Sequence, residues 1–258
     1  MDELVLPLFH KEQNTVHISF NRLPLYFGPI GSHLKYYNGK ARLRINSSIL
    51  TIFVCVLPAL ALFLSVSISL YTDFYEATKT HCHVYNFLPS ISTAISFEWT
   101  QPIWRTLIYL HAAPRFLAYL IYRQWLPSTR LSSLTRFFYL IEIFSLLSLT
   151  YYDSTSSHLY HVVSFTTFGI FSVLHMILHT SVVSDITTLQ SIKLKRRSLL
   201  SSLICISLCF ILFIRHNSHC EPYIFSIFAF FEYSFVLSNI SFHSSFRYDF
   251  PRYSLVLF

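Results

Sequence analysis

The chain has 258 residues, of which 53% are hydrophobic, 18% aromatic and only 12% charged. Soluble domains carry about 25% charged residues, so this composition excludes an ordinary soluble domain, and its hydrophobicity excludes disorder. Four glycines (Gly28, Gly31, Gly39 and Gly169) cannot be arranged as a dinucleotide or P-loop fingerprint, and the net charge of +7 is placed to orient a membrane protein rather than to bind nucleic acid. What remains is a polytopic membrane protein.

Taken in chain order, the first 47 residues contain no apolar run and no core of a cleavable signal, so the first span acts as the insertion signal. Residues 21–46, with Pro24, Gly28, Pro29, Gly31 and a basic finish at Lys35, Lys40, Arg42 and Arg44, read as an irregular juxtamembrane segment. A bilayer core about 30 Å thick needs roughly 20 apolar residues per helix. Six stretches qualify: 48–71, 103–122, 134–152, 162–183, 198–214 and 223–243. Hydrocarbon admits only helices or a closed barrel, and apolar runs of this length without alternation select helices. The expectation is an all-α, six-helix membrane bundle. Its parts are an N-terminal segment (1–47), a transmembrane domain (48–243) and a C-terminal tail (244–258).

Loop charge orients the bundle through the positive-inside rule. With the N-terminus in the cytosol, fifteen Lys and Arg fall on the cytosolic side, among them Arg123, Arg130, Arg136, Lys193, Lys195, Arg196 and Arg197. Only Lys79 and Arg215 fall opposite. Both termini are therefore expected in the cytosol.

Of five cysteines, Cys55, Cys205 and Cys209 lie within spans and read as small apolar packers. Cys82 and Cys220 lie in the first and last non-cytosolic loops, where an oxidising lumen favours a disulfide. His81, His83, His216 and His219 stand beside them, so zinc is the alternative. No CxxC or HxxxH spacing occurs there, and the disulfide is the reading adopted, with no metal.

Ionisable groups within spans are expensive and are functional candidates by default. Span 2 carries Arg105, His111 and Arg115, the last two one turn apart with Pro114 between them. Span 3 carries Glu142 near its middle, span 4 His175 and His179, and span 6 Glu232, Asn239 and His243 on one side. Mutual neutralisation of Arg115 by Glu142 or Glu232 is the structural alternative to a functional role. The whole set implies a polar interior that opens toward the lumen, where His81, Asn86, Arg215, His216, Asn217 and Glu221 cluster. No Gly-x-Ser-x-Gly, HExxH or acyltransferase His-x4-Asp can be written on this chain.

The non-cytosolic segments carry a more specific pattern. It runs through Thr80-His81-Cys82, Asn86-Phe87-Leu88-Pro89-Ser90-Ile91-Ser92, Leu110-His111-Ala112-Ala113-Pro114-Arg115-Phe116 and Arg215-His216-Asn217 with Cys220-Glu221. Over about residues 48–250 this closely resembles the post-GPI-attachment-to-proteins factor 2 family, part of a six-span group that includes the damage-regulated autophagy modulators. Residues 21–46 look like an insertion, and His83 and His219 lie outside the family pattern. The Cys82–Cys220 pair fits it.

The resemblance implies a Golgi membrane protein, with the endoplasmic reticulum as a second location. It would be required when a saturated fatty acid is installed at the sn-2 position of lyso-GPI-anchored proteins. One chain anchors a protein marginally, whereas two hold it well. The implied partners are lyso-GPI-anchored proteins, membrane lipids and other remodelling enzymes, with no nucleic acid. No cofactor is expected beyond an acyl donor, a lipid or acyl-CoA. His111, His175 or His216 would be the base, with Glu142 as orienting group. Arg105, Arg115 and Arg215 would bind phosphate, alongside Asn86, Asn217 and Glu221. The rival reading is a non-catalytic lipid-presenting, scrambling or adaptor protein that serves a separate enzyme.

Overall fold

The computed structural model describes residues 16–20, 23–29, 43–155 and 157–257. Its long helices are α1 (Ser47–Thr72), α4 (Thr100–Trp125), α5 (Arg130–Tyr151), α6 (His158–Val183), α7 (Leu189–His219) and α8 (Ile224–Ser244). Each matches one expected span, with no expected residue lost beyond a single position at one end. Most extend it by a few residues, because capping groups lie beyond the apolar run. Thr129 accepts from the Ser132 amide at 3.1 Å to start α5, and Thr188 accepts from the Ser191 amide at 3.2 Å to start α7. Lys193, Lys195, Arg196 and Arg197, expected in a loop, therefore lie in the opening turns of α7.

The six helices form a closed ring, each packed against its two neighbours in the order α1, α4, α5, α6, α7, α8 and back to α1. Gly169 supports one seam: a Cβ there would lie 3.1 Å from the Ile206 side chain. The outer surface is apolar, with Phe63, Phe144, Phe210 and Phe230 all more than half exposed. Among the described residues, five helices are long and apolar enough to cross a membrane. The other long helix, α4, carries Arg105, His111, Arg115 and Arg123. Yet His111 and Arg115 face inward and are buried, while Tyr109, Leu110 and Phe116 face out.

At one end of the ring lies a feature absent from the sequence reading. Strands β1 (Val16–Phe20), β2 (Leu23–Pro29), β3 (Leu43–Asn46) and β4 (Tyr253–Leu257) form an antiparallel sheet in the order β1-β2-β4-β3. The described parts of 21–46 are thus strands, not irregular chain; residues 30–42 lie outside the described set. Residues 253–257 are the strand that joins the sheet, with Val256 opposite both Tyr26 and Arg44. Two prolines and a glycine in β2 argue against a strand when read locally, and one of its two partners, β4, sits more than 220 positions away. Because β3 runs into α1 and β4 follows α8, the first and last described strands meet at this end of the ring.

A buried ion pair fixes the tail there. Asp249, in the short helix α9 (Phe246–Asp249), accepts from Lys195 Nζ at 2.6 Å, from Thr187 Oγ1 and Ser191 Oγ at 2.5 Å, and from the Tyr122 hydroxyl. Lys195, counted as a loop charge from sequence, is fully buried.

The opposite, loop end holds the short helices α2 (Phe74–Thr78) and α3 (Ile91–Ala94). Cys82 and Cys220 form the expected disulfide, with Cα atoms 5.2 Å apart. Beside it the Tyr223 amide donates to the Tyr85 carbonyl at 3.0 Å. Cys220 and Tyr223 both adopt the left-handed backbone region, a strain of about 1–3 kcal/mol each that this cross-link holds in place. Replacing Cys82 or Cys220 with Ser should remove the mobility shift between reducing and non-reducing gels. It should also lower stability by about 2–4 kcal/mol, read as the thermal midpoint of the purified protein.

Candidate functional site

Glu142, near the middle of α5, has no exposed surface. Its carboxylate gathers polar groups from three neighbouring helices. Oε1 accepts from the Arg115 guanidinium of α4 and from Asn239 Nδ2 of α8 at 2.7 Å, with His243 Nε2 at 3.2 Å. Oε2 accepts from His175 Nδ1 of α6 at 2.7 Å. A carboxylate can only accept, so Nδ1 of His175 carries the proton. His175 Nε2 then faces His179 Nδ1 at 3.3 Å. Tyr139, one turn before Glu142 on the same face, stacks on His175 at 4.3 Å and on His243 at 5.3 Å. Sequence reasoning brought Glu142, Arg115, His175, Asn239 and His243 forward but missed Tyr139, whose signal was its i−3 spacing from Glu142.

Glu142, His175 and His243 place three donor atoms within 4.8 Å of one another, a spacing that could serve a metal. The Arg115 guanidinium already sits among them, bonded to Glu142 and 2.6 Å from His243 Nε2. A cation there would have to displace a buried positive charge. At the loop end, His81, Cys82 and His216 converge similarly, but the disulfide removes the thiolate that zinc would take.

Toward the loop end, a cavity of about 60 Å³ lies in the ring interior, or about 740 Å³ when the open space continuous with it is counted. It extends from Ile91, Ser92 and His161 at the loop end to Val54, Arg115 and His243 next to the Glu142 cluster. Along α4 its walls run from Trp104 to Arg115, eleven residues or roughly 16 Å. The surface it presents is almost wholly apolar. Three polar atoms of its wall residues, Trp104 Nε1, His111 Nδ1 and Arg115 Nε, have no hydrogen-bond partner. His111 is therefore the predicted base that lines the cavity; His175 lies behind the wall with both ring nitrogens engaged.

The loop end of the cavity is rigidly built. Ser226 of α8 accepts from the Phe87 and Leu88 amides at 2.8 and 3.2 Å and contacts Asn86 Oδ1 at 3.5 Å. Tyr233 donates to the Pro89 carbonyl at 2.5 Å, and Glu232 accepts from the Ile91 amide at 2.8 Å. Asn86 is thus a loop clamp, and Glu232 holds backbone rather than neutralising Arg115. Arg105 donates to the Thr150 and Tyr151 carbonyls at 3.3 and 2.9 Å and pairs with Asp153, fixing the turn between α5 and α6. One contact was not anticipated: the Ser92 hydroxyl lies 2.8 Å from His161 Nε2.

The remaining predicted residues lie at the loop end, outside the cavity lining. His216 is buried against His81 and Phe225, with both ring nitrogens unpartnered. Arg215 and Glu221 form an exposed ion pair at 2.7 Å, and that hydrogen bond holds the Glu221 carboxyl below the usual range. Asn217 is exposed beside them.

Comparison with known proteins gives this arrangement its relatives. Residues 46–253 match the Frag1/DRAM/Sfk1/Cwh43P N-terminal domain. The chain is 39% identical over 227 residues to post-GPI attachment to proteins factor 2 of Caenorhabditis elegans, covering 79% of this chain and 86% of that one. The chain belongs to that family. It is also 37% identical over 217 residues to acyltransferase PGAP2 of Xenopus tropicalis, covering 78% and 86% of the two chains. Protein cwh43 of Schizosaccharomyces pombe matches at 26% identity over a fifth of its length. No solved structure matches. The family match spans every helix of the ring, so the cavity and the Glu142 cluster both lie within the shared domain.

Glu142→Ala would leave the buried Arg115 charge unpaired and should cost about 3–5 kcal/mol of stability, measured as the unfolding midpoint in detergent. Adding Arg115→Met should recover most of that loss. Equal instability of the single and double variants would contradict the pairing.

Proposed function

We propose that this protein is a six-span acyltransferase of GPI-anchor remodelling that installs a saturated chain at the sn-2 hydroxyl of lyso-GPI-anchored proteins on the lumenal side of the Golgi membrane. Relatives named for GPI attachment, one of them named an acyltransferase, support the pathway and the reaction class. In this reading α4 is the sixth span, its polar residues turned inward, and both termini are cytosolic.

The observation that carries the chemistry is the cavity. Half of a bilayer core about 30 Å thick is roughly 15 Å, the depth of one acyl chain in one leaflet and close to the cavity's length. An apolar tube that deep inside a helical ring accepts a chain from the lumenal leaflet and leaves its carbonyl at the loop end. Lyso-GPI presents its free hydroxyl at that same interface. In this reading the exposed Arg215–Glu221 pair at the loop end meets the anchor's polar headgroup, while the Glu142 cluster closes the far end and sets the chain's depth.

The test is transfer of a labelled saturated acyl chain to lyso-GPI by the purified protein. Wild type should form product, and Val54→Phe, which fills the far end, should shift preference to shorter chains. Each methylene that no longer fits should cost roughly ten-fold in kcat/KM. No product from folded protein with ester or thioester donors would move the assignment to the lipid-presenting role. Unchanged chain preference in Val54→Phe would remove the cavity from the mechanism.

A further inference from the structure

We infer that Ser92 and His161 form a nucleophile–base pair at the loop end of the cavity, and that the acyl chain passes through an ester on Ser92. The inference rests on the acyl-transfer reading for its substrate, but its geometry stands separately. His161, in the first turn of α6, is buried, and its Nδ1 lies 2.8 Å from the Tyr152 carbonyl oxygen. A carbonyl only accepts, so Nδ1 carries the proton and Nε2 presents a lone pair. The atom facing that lone pair at 2.8 Å is the Ser92 hydroxyl. A hydroxyl held by an imidazole whose other nitrogen is oriented by a third group is the recurring arrangement of activated serine nucleophiles.

Both members are fixed by structure built around them. The Ile91 amide, one residue before Ser92, is held by Glu232, and the Pro89 carbonyl by Tyr233. On the other side, Arg105 grips the Thr150 and Tyr151 carbonyls, so the next carbonyl, at Tyr152, is placed for His161. Ser92 and His161 both line the cavity. Ser92 keeps part of its surface open while His161 is buried, the accessibility each role requires. Trp104, which also lines the cavity, has an Nε1–H without a partner, a donor free to meet an oxyanion.

The donor is a long-chain acyl ester or thioester. Ser92 Oγ bonds to the acyl carbonyl carbon while its proton passes to His161 Nε2. The donor's C–O or C–S bond then breaks, its electron pair leaves on the heteroatom, and that atom takes the proton from His161. Acyl-Ser92 and a free alcohol or thiol result. The acceptor hydroxyl next bonds to the ester carbon and gives its proton to His161. The bond to Ser92 Oγ breaks and Ser92 regains the proton. His161 thus acts twice, and no group outside donor and acceptor is consumed.

The experiment uses the full chain in detergent with a long-alkyl fluorophosphonate, which reacts only with an activated serine, followed by peptide mapping. Wild type should be labelled at Ser92, and His161→Gln should slow labelling at least a hundred-fold, the scale of a positioned base. Mapping on wild type needs no folded variant. Labelling absent, or confined to other serines, overturns the pair. Acyl transfer is assayed in parallel: transfer that persists in Ser92→Ala overturns the pair and leaves the transferase reading intact. Labelled Ser92 with no transfer from any donor keeps the nucleophile and removes the transferase.

Discussion

A carboxylate at the centre of a membrane-embedded ring cannot be left to itself, and the interior of this protein is organised around that fact. Glu142 is beyond the reach of solvent, so its charge must be matched by groups that three other helices deliver to one point. Arg115 supplies the countercharge, His175 and Asn239 donate to the remaining acceptor positions, and His243 Nε2 lies against the Arg115 guanidinium. Intramembrane polar groups carry this cost only where they specify something. Here they fix the rotation of α4, α5, α6 and α8 about their axes, since turning any one helix would bury an unpaired group. Apolar faces alone, as greasy as the lipid around them, do not select one rotation.

That specification has a functional consequence. With polar groups gathered into one layer, the ring toward the loop end is left with apolar walls and a cavity about one leaflet deep. The layer beyond is both the floor of the cavity and the reason the cavity has a fixed length. A second polar layer, Lys195 with Asp249 and Tyr122, locks the tail and the sheet to the other end. In the proposed account function and stability are distributed along the bundle axis: structural charge in the middle and at the sheet end, chemistry at the loop end. The two ring nitrogens of His175 are spent on structure, whereas His161 keeps one for a hydroxyl.

Much of this was legible in the residues. Apolar runs located all six long helices, because length and hydropathy are local properties. Helical spacing placed Arg115 with His111 and Glu232 with Asn239 and His243, and all five are buried. The loop cysteines were paired correctly. Other features depend on contacts that sequence spacing does not encode. The sheet joins strands from opposite ends of the chain, and Lys195 looked like a surface charge because Asp249 lies 54 positions away. Glu232 was read as a charge to be neutralised, but it caps the Ile91 amide. Ser92 and His161 stand 69 positions apart, Ser92 inside a motif noted for its pattern and His161 just outside an apolar run. Neither position alone carries a signal; the hydrogen bond between them does.

The central claim is that one acyl chain occupies the cavity with its carbonyl at the loop end. Photocrosslinking with two fatty acyl lipids tests it most directly, one bearing the photoreactive group near the carboxyl and the other at the chain terminus. The account places the first label on Ile91, Ile95 or Phe165 and the second on Val54 or Ile240, all of which line the cavity. Labels confined to the outer surface, at residues such as Phe63 or Phe210, or a reversed order of the two positions, would contradict it.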